Sequence, residues 1–274
     1  MNSECIILTR WVDMILNDIA YGNTFKEAKP FNHLVIDNFF TEEHANALSD
    51  NFPGYEDDIW KGFYNNELEI KKTCHYWSLF PELYYKTFHA LLEPSFVRKL
   101  EETTGISNLE VDHGLHGGGM HTHPKGGKLN VHLDYHTHPK LTHLKRNLNL
   151  IIYLNKGWEE SWGGHLQLWD HNEETNQPKS CVSVVEPRFN RAVLFDTTQN
   201  SWHGLPEPFN CPDGQMRKSL AVYYLTPATS EVGRKRAYFA PYKEQANDES
   251  VLKLIKQRAD NEQASSVYVT KESK

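Results

Sequence analysis

Residues 126–135 read Gly126-Gly127-Lys128-Leu129-Asn130-Val131-His132-Leu133-Asp134-Tyr135. The glycine pair marks a turn, and 128–133 reads as a short strand after it. Further strands are expected at 148–154, 165–169, 180–185, 192–195 and 219–225, with Gly, Pro, Asn and Asp between them. Short strands broken by turn residues, with no helices alternating between them, predict a β-sandwich or barrel rather than a parallel α/β sheet. Upstream the pattern changes. Leu34-Val35-Ile36 suits a short strand, and Thr41 before Glu42 and Glu43 suits a helix N-cap with acids in the first turn. Ala45, Leu48 and Phe52 follow at helical spacing; Tyr84, Phe88, Leu91 and Leu92 share a second helical face; 96–104 is a third segment that stops at Gly105. Downstream, 249–258 places Val251, Leu254 and Ile255 on one helical face. The expected organisation is an α-rich lead-in over 1–108, helical from its first 30 residues, then a β core over 109–227. A C-terminal extension over 228–274, with a helix and a frayed tail, completes one integrated domain.

Composition narrows the function classes. The 274 residues are 39% hydrophobic and 24% charged, ordinary values for a globular protein. A net charge of −7 argues against a nucleic-acid-binding surface, which carries a basic face. The four cysteines, Cys5, Cys74, Cys181 and Cys211, form no Cys-x-x-Cys pair and read as free thiols of a reducing compartment. The apolar run before Thr9 is too short for a signal peptide, and no stretch has the length of a membrane span. A cytoplasmic protein is expected, with no membrane partner. Nothing in the pattern sets its oligomeric state.

Eight of the fifteen histidines lie between His113 and His143. Within a strand, residues i and i+2 face the same way, so His132 and Asp134 aim an imidazole and a carboxylate at one point. With His203 from a distant strand they form two histidines and a carboxylate on one face. That set leaves coordination positions open, as in non-haem Fe(II) oxygenases. An isolated His-x-Asp arises often by chance, so a cation beyond the third ligand adds weight. Arg217 and Lys218 open a strand-like run in which Arg217, Ser219, Ala221 and Tyr223 share a face. An arginine there suits the far carboxylate of a dicarboxylate co-substrate.

At this point the sequence resembles the prolyl-4-hydroxylase-like branch of the Fe(II)/2-oxoglutarate oxygenases, over roughly 31–226. The motifs run in order: Phe31-Asn32-His33-Leu34-Val35-Ile36-Asp37-Asn38-Phe39-Phe40; Gly117-Gly118-Gly119-Met120-His121; the stretch quoted first; Arg146-Asn147-Leu148-Asn149-Leu150-Ile151-Ile152-Tyr153-Leu154-Asn155. Trp162-Gly163-Gly164-His165-Leu166, Asn190-Arg191-Ala192-Val193-Leu194-Phe195, Trp202-His203-Gly204 and Arg217-Lys218-Ser219-Leu220 follow. The resemblance implies a double-stranded β-helix, the cupin-like jelly-roll barrel, with helices packed outside. It implies Fe(II) on His132, Asp134 and His203, 2-oxoglutarate on Arg217 and Tyr153, O₂ as co-substrate, and ascorbate as a candidate accessory reductant. Asn149 and Ser219 are secondary candidates for the same pocket. His121 and His123 fall where relatives place groups facing co-substrate or substrate, or else they are loop residues beside Pro124. His136, His138 and His143 read as loop residues.

Two departures stand out. Ala221 replaces a hydroxyl-bearing residue of some relatives. The interval from His203 to Arg217 is long and proline-rich, which leaves Lys218 as a rival anchor, although strand parity favours Arg217. The implied reaction is hydroxylation of an unactivated C–H bond of a peptidyl or free amino acid or another small metabolite, with release of succinate and CO₂. The rival readings are a non-catalytic cupin-like metal-binding or sensor protein and a zinc hydrolase with the same ligands. Both leave Arg217 without a task.

Overall fold

The stretch 128–133 is a strand with those bounds in the computed structural model, which describes residues 23–228, 233–260 and 262–263. The helix expected over the first residues falls outside the described residues apart from 23–30, and so does the end of the tail. In chain order the elements are β1 (His33–Ile36), α1 (Glu42–Asp50), β2 (Gly62–Asn65), β3 (Glu69–Cys74), α2 (Glu82–Leu92), α3 (Pro94–Thr104), β4 (Glu110–Val111), β5 (Gly119–His123), β6 (Lys128–Leu133), β7 (Leu144–Tyr153), β8 (Leu166–Asn172), β9 (Gln177–Val185), β10 (Ala192–Asp196), β11 (Trp202–Leu205), β12 (Arg217–Pro227), β13 (Tyr238–Phe239) and α4 (Glu249–Ala259).

The strands pair antiparallel. One sheet runs β1-β10-β7-β12-β5 and the other β6-β11-β8-β9. Strand β3 joins them, since Lys72–Cys74 pair with β5 and Glu69–Ile70 pair with β6. The result is a nearly closed jelly-roll barrel, mainly β with flanking helices, as the sequence predicts. No helix among the described residues is long and apolar enough to cross a membrane.

Strand parity decides what lies inside. On β7 and β12, Leu148, Leu150, Ile152, Leu220, Val222 and Tyr224 face outward and pack with Leu48, Tyr84, Phe88, Leu91 and Phe96 of the helices. Each such side chain contributes about 1.5–3 kcal/mol by burial. The alternate residues Asn149, Ile151, Ser219, Ala221 and Tyr223 turn into the barrel and line its cavity. The helices are closed by local chemistry. Thr41 caps α1 at His44 N, Gly105 ends α3 in the left-handed region at φ 70°, and Asp248 caps α4 at Ser250 N and Val251 N.

His44 sits in this outer core between Phe40 and Thr87, its Nε2 donating to Thr87 Oγ1 at 3.0 Å. Burial pulls its pKa down to about 4. Below the ordinary histidine value the unfolded chain takes up a proton that folded His44 refuses. Stability therefore falls as pH drops from about 6.5 to about 4, by about 3 kcal/mol from this residue. The urea midpoint of His44→Gln is expected to vary less steeply with pH over that window than the wild-type midpoint; parallel slopes would contradict this.

The lead-in is less helical than its sequence suggests. The hairpin β2–β3 interrupts it and carries β3 into the barrel wall. Strands β5 and β13 are likewise absent from the pattern read above, and β11 entered it only as the strand carrying His203. β13 has two residues and β11 four, too few to show a period, and β5 turns His121 and His123 into the cavity where an ordinary strand would carry apolar residues. Gly204 interrupts β11 for a steric reason: a Cβ there would lie 2.8 Å from the Leu129 carbonyl oxygen of β6.

Candidate active site

The barrel encloses a cavity of about 170 Å³ at whose floor His132, Asp134 and His203 converge. His132 is the penultimate residue of β6, Asp134 follows the strand, and His203 lies directly across the strand pair from His132. One ligand atom from each of the three falls within 4.8 Å of the others. His132 Nε2 is 3.8 Å from Asp134 Oδ1, and His203 Nε2 is 3.9 Å from Asp134 Oδ2.

Hydrogen bonding fixes the tautomer of both rings. His132 Nδ1 lies 2.9 Å from Asn130 O, and His203 Nδ1 lies 2.9 Å from Ser201 O. A carbonyl can only accept, so each Nδ1 carries the proton and each Nε2 presents a lone pair to the site. That is the arrangement a metal-binding imidazole needs. Burial, reinforced by His203, pulls the pKa of His132 to about 3, so the ring stays neutral at physiological pH.

Asp134 is held from three sides. Tyr223 donates its hydroxyl at 3.1 Å, Asn149 donates its amide at 3.4 Å, and Arg146 Nη1 stands 3.6 Å away. Burial alone would raise the carboxyl pKa, but His203, Arg146, His132 and Tyr223 together hold it below the ordinary value. Arg146 is clasped between the rings of Tyr135 and Tyr223, 3.5 and 3.4 Å from their centroids. Its Nη2 also donates to His116 O and Tyr135 Oη. Loss of an orienting hydrogen bond to a metal-binding carboxylate weakens metal affinity by roughly 10- to 100-fold. Tyr223→Phe is expected to weaken metal binding within that range in a chelator competition, and unchanged affinity would contradict the role given to Tyr223.

Beyond the triad the cavity offers an anion site. Arg217 is buried, and its Nε donates to Gly164 O at 2.8 Å. Among the described residues no carboxylate pairs with it. Tyr153 is buried beside it, ring centroid 4.8 Å from the guanidinium, and its hydroxyl proton has no acceptor. Burial of an unpaired cation beside an unsatisfied phenol is costly unless a ligand supplies the missing anion. The donor set therefore fits a carboxylate between Arg217 and Tyr153 and a divalent metal on the triad. Lys218 turns the other way, its Nζ donating to Ser49 O at 3.2 Å on the helix side.

His123, directly across β5–β12 from Arg217, is buried with neither ring nitrogen hydrogen-bonded. Burial, then Arg217, holds its pKa well below the usual value. His121 also lines the cavity, with Nε2 3.1 Å from Gly118 O. His121, His123, His132, Asp134, Asn149, His203, Arg217 and Ser219 thus line one cavity, Tyr153 lies against Arg217, and Lys218 faces away. Sequence reading passed over Arg146, although it opens a quoted motif, and Tyr223, although it shares the Arg217 face. It gave no sign of Glu69, Lys71, Phe239 or Arg258, which also line the cavity. Phe239 stacks on His132 with centroids 5.1 Å apart.

A second histidine cluster, Asp112, His116 and His138, has comparable spacing but the wrong proton arrangement. His138 Nδ1 accepts from Lys140 N and Leu141 N, so its Nε2, 3.3 Å from Asp112 Oδ2, carries the proton. Asp112 in turn accepts from Gly114 N and His116 N. This cluster ties two loops together and offers no free set of lone pairs. His138, read from sequence as a loop residue, is in a loop but fully buried by this contact.

A family model described as the 2OG-Fe(II) oxygenase superfamily matches residues 118–225. The chain is 26% identical over 219 residues to mouse prolyl 3-hydroxylase OGFOD1, covering 77% of this chain and 35% of that protein. It is 25% identical over 211 residues to the Xenopus laevis protein of the same name, covering 74% and 37%. The chain thus spans about a third of the length of these curated relatives. In fold it is similar to a Trichoplax adhaerens prolyl hydroxylase solved with a hypoxia inducible factor peptide fragment. That likeness has a TM-score of 0.52 at 16% identity and covers 82% of this chain and 93% of that one.

Proposed function

We propose that the chain is a member of the 2OG-Fe(II) oxygenase superfamily, an Fe(II)- and 2-oxoglutarate-dependent hydroxylase whose first substrate to test is a peptidyl proline. The observation that carries this reading is one cavity holding both a ligand-ready triad and, beside it, a buried arginine with an unsatisfied tyrosine. His132, Asp134 and His203 are the proposed iron ligands. Arg217 and Tyr153 are the proposed holders of the far carboxylate of 2-oxoglutarate, with Asn149 and Ser219 lining the path between. When bound, the iron couples oxidative decarboxylation of 2-oxoglutarate by O₂, to succinate and CO₂, with transfer of one oxygen atom into a C–H bond.

The residues of the chain supply orientation and exclude water. Asn130 O and Ser201 O fix the two imidazoles. Tyr223, Asn149 and Arg146 keep Asp134 ionised and aimed. Ile151, Leu166 and Leu205 close the apolar side of the cavity. A metal holder without turnover, or a zinc hydrolase, would leave the Arg217–Tyr153 pair without purpose. The substrate class is drawn from the relatives' names, which specify prolyl hydroxylases. Free thiols at Cys74, Cys181 and Cys211 support a reducing compartment, proposed to be the cytoplasm. The test is incubation with Fe(II), 2-oxoglutarate, O₂ and a panel of proline-containing peptides. Succinate release coupled to gain of one oxygen atom by a peptide is the expected result. Succinate release with no oxidised peptide would remove proline and keep the reaction class.

A further inference from the structure

Behind the triad, on the outer face of the barrel wall, Val131, Leu133, Trp202 and Ala240 form a small core with Trp169 and Tyr238 packed on it. Two of these residues are chain neighbours of rings at the triad. Trp202 immediately precedes His203 on β11. Tyr238 immediately precedes Phe239, which stacks on His132 with centroids 5.1 Å apart. The rings of Trp202 and Tyr238 are themselves 5.7 Å apart between centroids. Trp202 is fully buried and Tyr238 half-buried, so the pair leads from the wall of the triad toward the surface.

The hydrogen bond of Trp202 sets it apart. The indoles of Trp60, Trp77, Trp158 and Trp169 donate to amide oxygens, which are not basic. Trp202 Nε1 donates to a base, Nδ1 of His171, at 2.9 Å, with the two rings 14° from coplanar. His171 therefore keeps its lone pair on Nδ1 and its proton on Nε2, which lies 3.6 Å from the carboxylate of exposed Glu173. An indole that loses an electron becomes a strong acid. Beside a base it can shed its proton in the same event, whereas beside an amide it is left as a buried, uncompensated cation.

Resting on the hydroxylase reading, we infer that Trp202 and Tyr238 form an electron relay that reduces the iron site when 2-oxoglutarate is consumed with no substrate C–H bond in reach. Trp202 gives one electron to the site and its Nε1 proton to His171 Nδ1; the imidazolium so formed faces Glu173. Tyr238 then gives an electron to Trp202, the indole regains its proton from His171, and the phenolic proton leaves to solvent. A one-electron reductant in solution, such as ascorbate, restores the Tyr238 phenol. The relay spares the cavity rings of Tyr135 and Tyr223, which clasp Arg146 beside Asp134.

The test mixes the full chain, loaded anaerobically with Fe(II) and 2-oxoglutarate, with O₂ in the absence of peptide and reductant. Samples are frozen for electron paramagnetic resonance, and parallel samples are digested for mass spectrometry. The wild-type protein is expected to give a tyrosyl radical that ring-deuterated tyrosine narrows. The signal should be lost in Tyr238→Phe and in Trp202→Phe. It should also be lost in His171→Leu, which leaves the buried indole in place and removes the proton acceptor. In Trp202→Phe the oxidised residues found by mass spectrometry should move from Tyr238 to Tyr135 and Tyr223. A radical that survives Tyr238→Phe, a radical of unchanged strength in both Trp202→Phe and His171→Leu, or no radical in wild-type protein that forms the anaerobic Fe(II)–2-oxoglutarate absorbance band would overturn the inference and leave the hydroxylase reading standing. Absence of the band itself would take the hydroxylase reading down with it.

Discussion

Replacing His132 with alanine is expected to abolish iron binding and, with it, all 2-oxoglutarate turnover. The substitution removes one of three proposed ligands from a site where Nε2 of each histidine is already directed inward by a backbone carbonyl. The remaining pair, Asp134 and His203, cannot close a facial set. The loss of affinity should exceed the roughly 100-fold typical of losing a supporting hydrogen bond. The fold should persist, because His132 lies on the cavity wall and outside the main apolar core. Equilibrium dialysis against Fe(II), with circular dichroism as the control for folding, checks both halves. A folded His132→Ala protein that keeps stoichiometric iron would contradict the ligand assignment.

Arg217→Ala is expected to separate co-substrate binding from metal binding. The guanidinium is buried, is unpaired by any described carboxylate and faces the Tyr153 hydroxyl. Deleting it removes the charge-assisted hydrogen bonds to the far carboxylate, worth about 3 kcal/mol, so the half-saturating 2-oxoglutarate concentration should rise on the order of 100-fold. Iron affinity should change little, since the ligand set is untouched. Arg217→Lys should recover only part of the loss, because an ammonium cannot present the planar fork of a guanidinium. Loss of iron from Arg217→Ala comparable to that from His132→Ala would argue against this division of roles. Restoration of 2-oxoglutarate binding by the neighbouring Lys218 is not expected, since its Nζ is engaged on the opposite face of β12.

Much of this site was legible in the sequence because its residues obey strand parity. The spacing of His132 and Asp134, and of Arg217, Ser219 and Tyr223, puts each set on one face of a strand, and those faces turn into the cavity. The glycine pair before Lys128 and the long β7 motif likewise bracket strands whose inner and outer faces alternate cleanly. The outer wall was harder to read. Glu69 and Lys71 alternate on β3, but their inward face is charged, so the period-two pattern of apolar residues is absent and the hairpin at 62–74 passed as part of a helical region. Strand β13 has two residues, and Arg258 reaches the cavity only because α4 packs Val251 and Ile255 against Phe239 and Leu68. Such contacts depend on tertiary docking across more than a hundred residues, which local periodicity does not encode. The histidine-rich stretch divides on the same physics. His132 gains its role from a carbonyl at Nδ1, and His138 loses it to two backbone amides at the same atom.

We propose that one cavity holds Fe(II) on His132, Asp134 and His203 together with 2-oxoglutarate on Arg217 and Tyr153. Its most direct test is an anaerobic titration of the apoprotein with Fe(II) and then 2-oxoglutarate, followed by visible absorption. The expected result is the weak charge-transfer band of the iron–2-oxoglutarate chelate at one equivalent of iron, absent in His132→Ala and shifted to much higher 2-oxoglutarate in Arg217→Ala. Stoichiometric iron binding by the wild-type protein with no band at any 2-oxoglutarate concentration would contradict it.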